Sequence, residues 1–459
     1  MPLPPLISSN LPSSTGPYQV GYIPITHKPI SPFSHSQPIH VETNLPALKV
    51  HDISYSVFYP TDAKASIFGS KGVSWVPEPF WGVIKGYEKF LQGKTGGSTQ
   101  ASTRSMKLLA STVGYIAGRL RIPVHPYSTL LTPPSSSKYP LVIFSHGLAG
   151  TRHTYSQFCA GLASEGYVVL ALEHRDGSGP AVCLPSTDVG EKEDSKVLHY
   201  IRQSDIKWAQ GEDKSLTHFR TLQLDIRSRE IYESYYNFKN LIQQSSTSIS
   251  TSSVLQEVGS SKEKEKDLEK KKQWVESLSG KVDFDDLRLT GHSFGGGTVL
   301  HILQTPSPDA KNLPSLPIKQ AIALDPWLEP IPLPSSSTKS HPSMPPILVI
   351  NSIGFTEWST HFNRLVGMIK DAQGSLVSIV GVGHQSFSDF PLLDPRSHNS
   401  AKLLLNKIHD ISTAFLIGKL GKLADFEGKK PDQGRLVKNE QGKLGDKEGD
   451  VIVHLIGKE

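Results

Sequence analysis

The chain has 459 residues, 37% of them hydrophobic and 20% charged, with a net charge of +5. That length holds one large domain with insertions or two domains, and a charge this small, not gathered into one stretch, argues against a nucleic-acid partner. Its two cysteines, Cys159 and Cys183, are too few for a disulfide scaffold and read as reduced thiols of an intracellular protein, with a single bridge as the alternative.

Residues 1–50, rich in Pro, Ser and His, read as an extended or partly disordered arm. The opening MPLPPLISSNLPSSTG has no basic n-region and no continuous apolar run, so no secretory signal is expected, and Pro2 excludes N-myristoylation. No run of about 20 apolar residues occurs, so no membrane-spanning helix is expected. ISYSVFYP (53–60) alternates as an early strand does. Residues 79–92 (PFWGVIKGYEKFLQ) and 104–121 (RSMKLLASTVGYIAGRLR) read as helices. The second sets Leu109, Val113, Ile116 and Leu120 at helical spacing, with basic residues near its ends.

A regular alternation follows. PLVIFSHG (140–147) is an apolar strand ending in a polar turn, 154–164 a helix, YVVLALEH (167–174) a strand, and 217–243 a long charged helix. LRLTGHS (287–293) is a strand that runs into a Gly-rich turn and helix. AIALDPW (321–327), ILVINS (347–352) and LVSIVGVGH (376–384) are further strands, and 399–417 is an amphipathic closing helix. Apolar strands alternating with helices predict an α/β domain over 51–425, a mostly parallel central sheet with helices on both faces. Two segments fall outside the pattern: 245–272, Ser/Thr-rich and then densely charged, reads as a mobile surface insertion, and 426–459 as a weakly ordered tail.

Gly291-His292-Ser293-Phe294-Gly295 fits the G-x-S-x-G turn that thrusts a serine out between a strand and a helix. Serine needs a base, and in such folds an acid and then a histidine follow it in the chain. Asp325 ends an apolar strand and is preferred to Asp309, which lies in a Pro/Ser/Asn loop. His384 follows a strand and a glycine turn. His361 and His409 fall on amphipathic helices, and His398 lies in a loop past the expected position. Backbone donors for a developing oxyanion are expected at Phe294, next to the nucleophile, and at Leu148 in the SHGLAG turn. His174-Arg175-Asp176 reads as a structural ion pair in a loop. No metal-ligand spacing, GxxxxGK[ST] or GxGxxG signature is present, so neither metal nor cofactor is expected.

LVIFSHGLAG, ALEHRDGSG, GHSFGGGTV, IALDPW and VGHQSFSDF, in this order, resemble the platelet-activating factor acetylhydrolases, as do WVPEPFWGVIKGYEKFL and GPYQVGYIP nearer the start. The resemblance spans roughly residues 16–420. It implies an α/β-hydrolase fold and a calcium-independent, phospholipase A2-type esterase that cleaves the sn-2 acetyl or short, oxidised acyl group of glycerophospholipids. By motif, the family's nucleophile, acid and base fall on Ser293, Asp325 and His384, and its oxyanion donors on Leu148 and Phe294. The resemblance also implies an apolar helix resting on lipid. Residues 104–121 match its position, so Leu109, Val113, Ile116 and Leu120 become membrane-interface candidates, with Phe80, Trp81 and Phe90 able to add to that surface. A helix that covers the core is the alternative. The 245–272 insertion and Pro326 after Asp325 depart from the family pattern. The expected setting is cytosolic, with a phospholipid partner met peripherally. A general short-chain carboxylesterase and a non-catalytic lipid-surface binding module are the competing readings.

Overall fold

The computed structural model describes residues 10–64, 72–94, 118–134, 137–184, 197–243, 261–333, 344–370, 374–427 and 445–457. Among them a ten-stranded sheet forms the frame. Its main strands are β1 (Gln19–His27), β2 (Ile53–Thr61), β3 (Tyr139–Ser145), β4 (Val168–Glu173), β5 (Val282–His292), β6 (Ile318–Leu324), β7 (Ile347–Asn351), β8 (Ser375–Ile379) and β9 (Val451–Leu455). Across the sheet they run β1-β2-β4-β3-β5-β6-β7-β8-β9, with the short strand His125–Pro126 outside β1. Strands β3 to β8 are mutually parallel, while β2 is antiparallel to β1 and β4, and β9 to β8.

The apolar runs make these strands because side chains alternate between two covered faces. In β3, Leu141 and Ile143 enter one core, and Val142 and Phe144 the other. Helices α1 (Phe80–Lys94), α2 (Ser156–Ser164) and α7 (His398–Leu416) close one face. Helices α3 (Leu216–Gln243), α4 (Ser261–Leu278), α5 (Phe294–Gln304) and α6 (Ser359–Ile369) close the other. This is the α/β-hydrolase fold. The chain leaves β3 for β4 on one side and later adds β5 on the other, so the carboxyl end of β3 is the switch point where ligands bind in open α/β sheets.

Three segments differ from their expected form, and a fourth lies mostly outside the described residues. The arm at 1–50 contains β1, whose nine residues pair with β2 from Gln19↔Thr61 to His27↔Ile53. Pairing supplies the order that a Pro-bearing sequence lacks alone. The charged half of the 245–272 insertion belongs to α4, where Lys271, Trp274, Val275 and Leu278 are buried at helical spacing. The tail at 426–459 returns as β9, antiparallel to β8. The expected 104–121 helix lies mostly outside the described residues; its end is a turn at 118–119, after which Arg121 begins a short strand, Arg121–Ile122.

A hydrogen bond ties β1 to the loop before α2: Tyr22 Oη lies 2.7 Å from His153 Nε2. Burial pushes His153 down to about 3, so its ring is neutral in the fold, while the unfolded chain takes up that proton near pH 6.5. The unfolded state therefore binds more protons between those values, and this group's contribution to stability is lost as pH falls below about 6.5. His153→Gln removes the effect. Its stability deficit at pH 7, measured by urea titration, should shrink by about 2 kcal/mol at pH 5. A deficit that does not change with pH would mean the ring gains its proton equally in both states.

Candidate active site

Strand β5 ends in a turn at Ser293, where φ is 56° and ψ −117°. A non-glycine residue in that region costs about 1–3 kcal/mol and persists only when its neighbours hold it. Here three backbone bonds do so: Ser293 N donates to Leu324 O, and its carbonyl accepts from Gly297 N and Trp327 N, each at 2.9 Å. The turn also needs close packing. A Cβ at position 295 would run into the Ser145 carbonyl oxygen, so only glycine lets α5 start against the end of β3.

The three residues expected to act together come from the carboxyl ends of three strands. His384, in the loop after β8, places Nε2 2.9 Å from Ser293 Oγ and Nδ1 2.9 Å from Asp325 Oδ2. Asp325, after β6, is fully buried with φ at 43°. Its second oxygen, Oδ1, accepts from Ser352 N at 2.6 Å. His361 Nε2 donates to the carbonyl of Pro326 at 2.8 Å and braces the same turn. A carboxylate accepts only, so Nδ1 must carry the proton, and the Nε2 lone pair faces the serine hydroxyl.

Two rings pack against the His384 imidazole. Phe355 is parallel to it at 4.7 Å, and His292 sits at 4.6 Å on a tilt of 39°. Burial, with the nearby His384, holds the pKa of His292 well below the ordinary range, so it is a neutral neighbour. Tyr155 joins this stack to the SHGLAG turn: its hydroxyl accepts from Gly147 N at 3.3 Å and lies 2.8 Å from His292 Nδ1.

The turn after β3 abuts the nucleophile, since a Cβ on Gly147 would lie 3.0 Å from Ser293 Cβ. Leu148 is half-buried there. Among the described residues, neither Leu148 N nor Phe294 N has a hydrogen-bond acceptor. Unengaged backbone N–H groups of this kind, near a serine with an ordered base, are what a tetrahedral acyl intermediate draws on. The ligand atoms of His292, Asp325 and His384 lie within 4.8 Å of one another, a spacing a metal could use. Both Asp325 oxygens and His292 Nδ1 already take part in the hydrogen bonds above.

The interface candidates fare differently. Leu109, Val113 and Ile116 lie outside the described residues. Leu120 is buried, 5% exposed, in the core beneath α2 and α7, so it faces protein rather than lipid; it lies between the turn at 118–119 and the short strand that begins at Arg121. On α1, Trp81 is 72% exposed, whereas Phe90 packs edge-on to Tyr200 with ring centroids 5.0 Å apart. Sequence reasoning missed Ser352, Tyr155 and Phe355, and read His361 as an ordinary helix residue. None of them stands in a motif, and each reaches the site through tertiary packing.

Comparison with known proteins accords with the motifs. Residues 7–408 match the family described as platelet-activating factor acetylhydrolase, isoform II. A platelet-activating factor acetylhydrolase of Gallus gallus is 29% identical over 256 residues, 55% of this chain and 53% of that protein. One of Canis lupus familiaris is 28% identical over 330 residues, 70% and 65%, and one of Cavia porcellus 26% identical over 367 residues, 77% and 70%. The chain thus spans 53% and 65% of the length of the first two relatives. With a family match covering most of its length, the chain belongs to the platelet-activating factor acetylhydrolase, isoform II, family.

Proposed function

We propose that the protein is a calcium-independent serine esterase that hydrolyses the sn-2 acetyl or short, oxidised acyl ester of glycerophospholipids, met at a lipid surface. The observation that carries this reading is the continuous bond chain from Asp325 through His384 to Ser293, 2.9 Å at each step, with two unengaged N–H groups beside it. The relatives' name, platelet-activating factor acetylhydrolase, supports an acetyl ester as the substrate class.

In this reading Ser293 Oγ attacks the ester carbonyl while His384 Nε2 takes its proton. The N–H groups of Leu148 and Phe294 hold the oxyanion. Collapse expels the glycerol oxygen, which receives the proton from His384 and leaves as lysophospholipid. Water, deprotonated by the same imidazole, then releases the carboxylic acid from the acyl-serine. The nucleophile, base and oxyanion donors are all supplied by the chain, which supports independence from calcium. Cys159 and Cys183 are not joined in a disulfide, which suits a cytosolic setting. Among the described residues no helix is long and apolar enough to cross a membrane, and peripheral contact, with exposed Trp81 as one element, fits the proposal.

The test is hydrolysis of 2-acetyl against 2-palmitoyl phosphatidylcholine, with and without a calcium chelator. The acetyl substrate should turn over at least about tenfold faster in kcat/KM, a ratio worth about 1.4 kcal/mol of transition-state binding, and chelation should change nothing. Turnover of p-nitrophenyl acetate without any phospholipid hydrolysis would replace this reading with a general carboxylesterase.

A further inference from the structure

We propose that Arg227, on α3, is the positioning residue of the oxyanion hole, gripping at once the turn that carries Leu148 and the ring of Phe294. This deepens the esterase reading and rests on it. Arg227 is fully buried beneath the site, where an arginine is unfavourable unless every donor is satisfied. Its Nε donates to Asp176 Oδ2 at 3.0 Å, Nη1 to the His146 carbonyl at 2.6 Å, and Nη2 to Ser178 Oγ at 2.6 Å. Its Cζ lies 4.4 Å from the centroid of the Phe294 ring.

These contacts converge on one short turn. His146 stands two residues before Leu148, and the residue after it, Ala149, donates its N–H to the Ser178 carbonyl at 2.8 Å. Leu148 is thus clamped on both sides by groups that Arg227 holds. The clamp has strain to resist, since Ala149 has φ at 57°. Phe294 bears the second N–H donor, and its ring rests on the same guanidinium. One planar cation therefore sets the relative position of both donors, and preorganisation of that kind is what an oxyanion site requires.

A second inward-facing group on α3 strengthens the clamp. Glu230 Oε2 lies 2.6 Å from His174 Nδ1, and His174 Nε2 lies 2.7 Å from Ser145 Oγ. The three have the connectivity of a serine–histidine–acid triad. Yet Ser145, His174 and Glu230 are 0%, 1% and 2% exposed, so no substrate reaches them. Their effect is mechanical: they fix the end of β3, and the backbone N–H of His174 donates to His146 Nε2 at 3.2 Å. The His174-Arg175-Asp176 stretch, which the sequence offers as a loop ion pair, is part of this clamp, through His174 and Asp176.

Arg227→Lys keeps the charge but loses the planar fork that reaches Asp176, His146 and Ser178 together. Ser178→Ala is smaller and removes one arm of the clamp while sparing the backbone carbonyl. The full-length chain would be assayed on 2-acetyl phosphatidylcholine across pH, with thermal unfolding and fluorophosphonate labelling rates alongside. Arg227→Lys should lose about 100-fold in kcat, with KM within about threefold and the acid limb of the pH profile unmoved, because His384 is untouched. Labelling, which uses the same two donors, should slow in step. Ser178→Ala should lose about tenfold in kcat by the same route. A folded Arg227→Lys with kcat within about threefold of wild type, or with a loss confined to KM, overturns the assignment. If Arg227→Lys does not fold, Ser178→Ala decides alone, and kcat within about twofold of wild type overturns it. A wild-type protein that neither turns over esters nor takes the fluorophosphonate sinks the esterase reading and this proposal with it. An active wild type with unimpaired variants sinks only the role of Arg227.

Discussion

Ser293→Ala is expected to lower kcat for acetyl-ester hydrolysis by about 10⁴-fold or more and to abolish fluorophosphonate labelling. The substitution deletes the atom that His384 Nε2 contacts at 2.9 Å and leaves the Cβ in place. The unusual backbone angles of this turn are held by main-chain bonds to Leu324, Gly297 and Trp327, so the variant should remain folded. Its thermal midpoint should lie within a few degrees of wild type, where about 1 kcal/mol corresponds to roughly 2–4 °C in a domain of 150–250 residues, and less here. Vesicle binding measured on the same sample separates catalysis from lipid binding. Loss of turnover with binding retained is the esterase result. Turnover that survives the substitution rules out Ser293 as nucleophile.

Asp325→Asn should cost about 10⁴-fold in kcat, almost as much, for a different reason. Both oxygens of Asp325 face N–H donors, Ser352 N at 2.6 Å and His384 Nδ1 at 2.9 Å. An asparagine has one acceptor and one NH₂. Whichever way its amide turns, the NH₂ meets an N–H. Turning the oxygen toward Ser352, the shorter contact, points the NH₂ at His384 and selects the imidazole tautomer with the proton on Nε2. That tautomer offers Ser293 no lone pair. The test is the pH–rate profile with circular dichroism: a folded variant whose activity recovers only at strongly alkaline pH supports the account, and a kcat within tenfold of wild type defeats it.

What the sequence made legible follows from where its physical signals are strong. β3, β4, β6 and β7 are buried on both faces, so they read as continuous apolar runs, and the strand–serine–helix turn stands out because its sterics demand glycine. Asp325 and His384, which the structure brings into contact with each other and with Ser293, could be singled out as candidates because the chain order of such sites is fixed. β1 was hidden because Gly21 and Pro24 interrupt it, and pairing with β2 supplies its order. α4 was hidden by its own charge. Its buried Lys271, Trp274, Val275 and Leu278 lie in the last turns of a helix whose sequence is otherwise dominated by Lys and Glu. Arg227 and Glu230 were hidden for the opposite reason. Charged residues on a helix suggest a solvated face, yet these two point into the protein, where partners from the 145–178 region satisfy their hydrogen bonds.

The closing strand β9 has a practical implication for anyone handling this protein. It caps β8, from which the chain runs on to His384, and His454 Nε2 meets Ser378 Oγ at 2.9 Å across that border. Clipping the last dozen residues would bare a row of β8 amides and carbonyls. Such a row is a template for strands of other molecules, so shortened versions should clump and lose activity together, and a purification tag is better placed at the amino end.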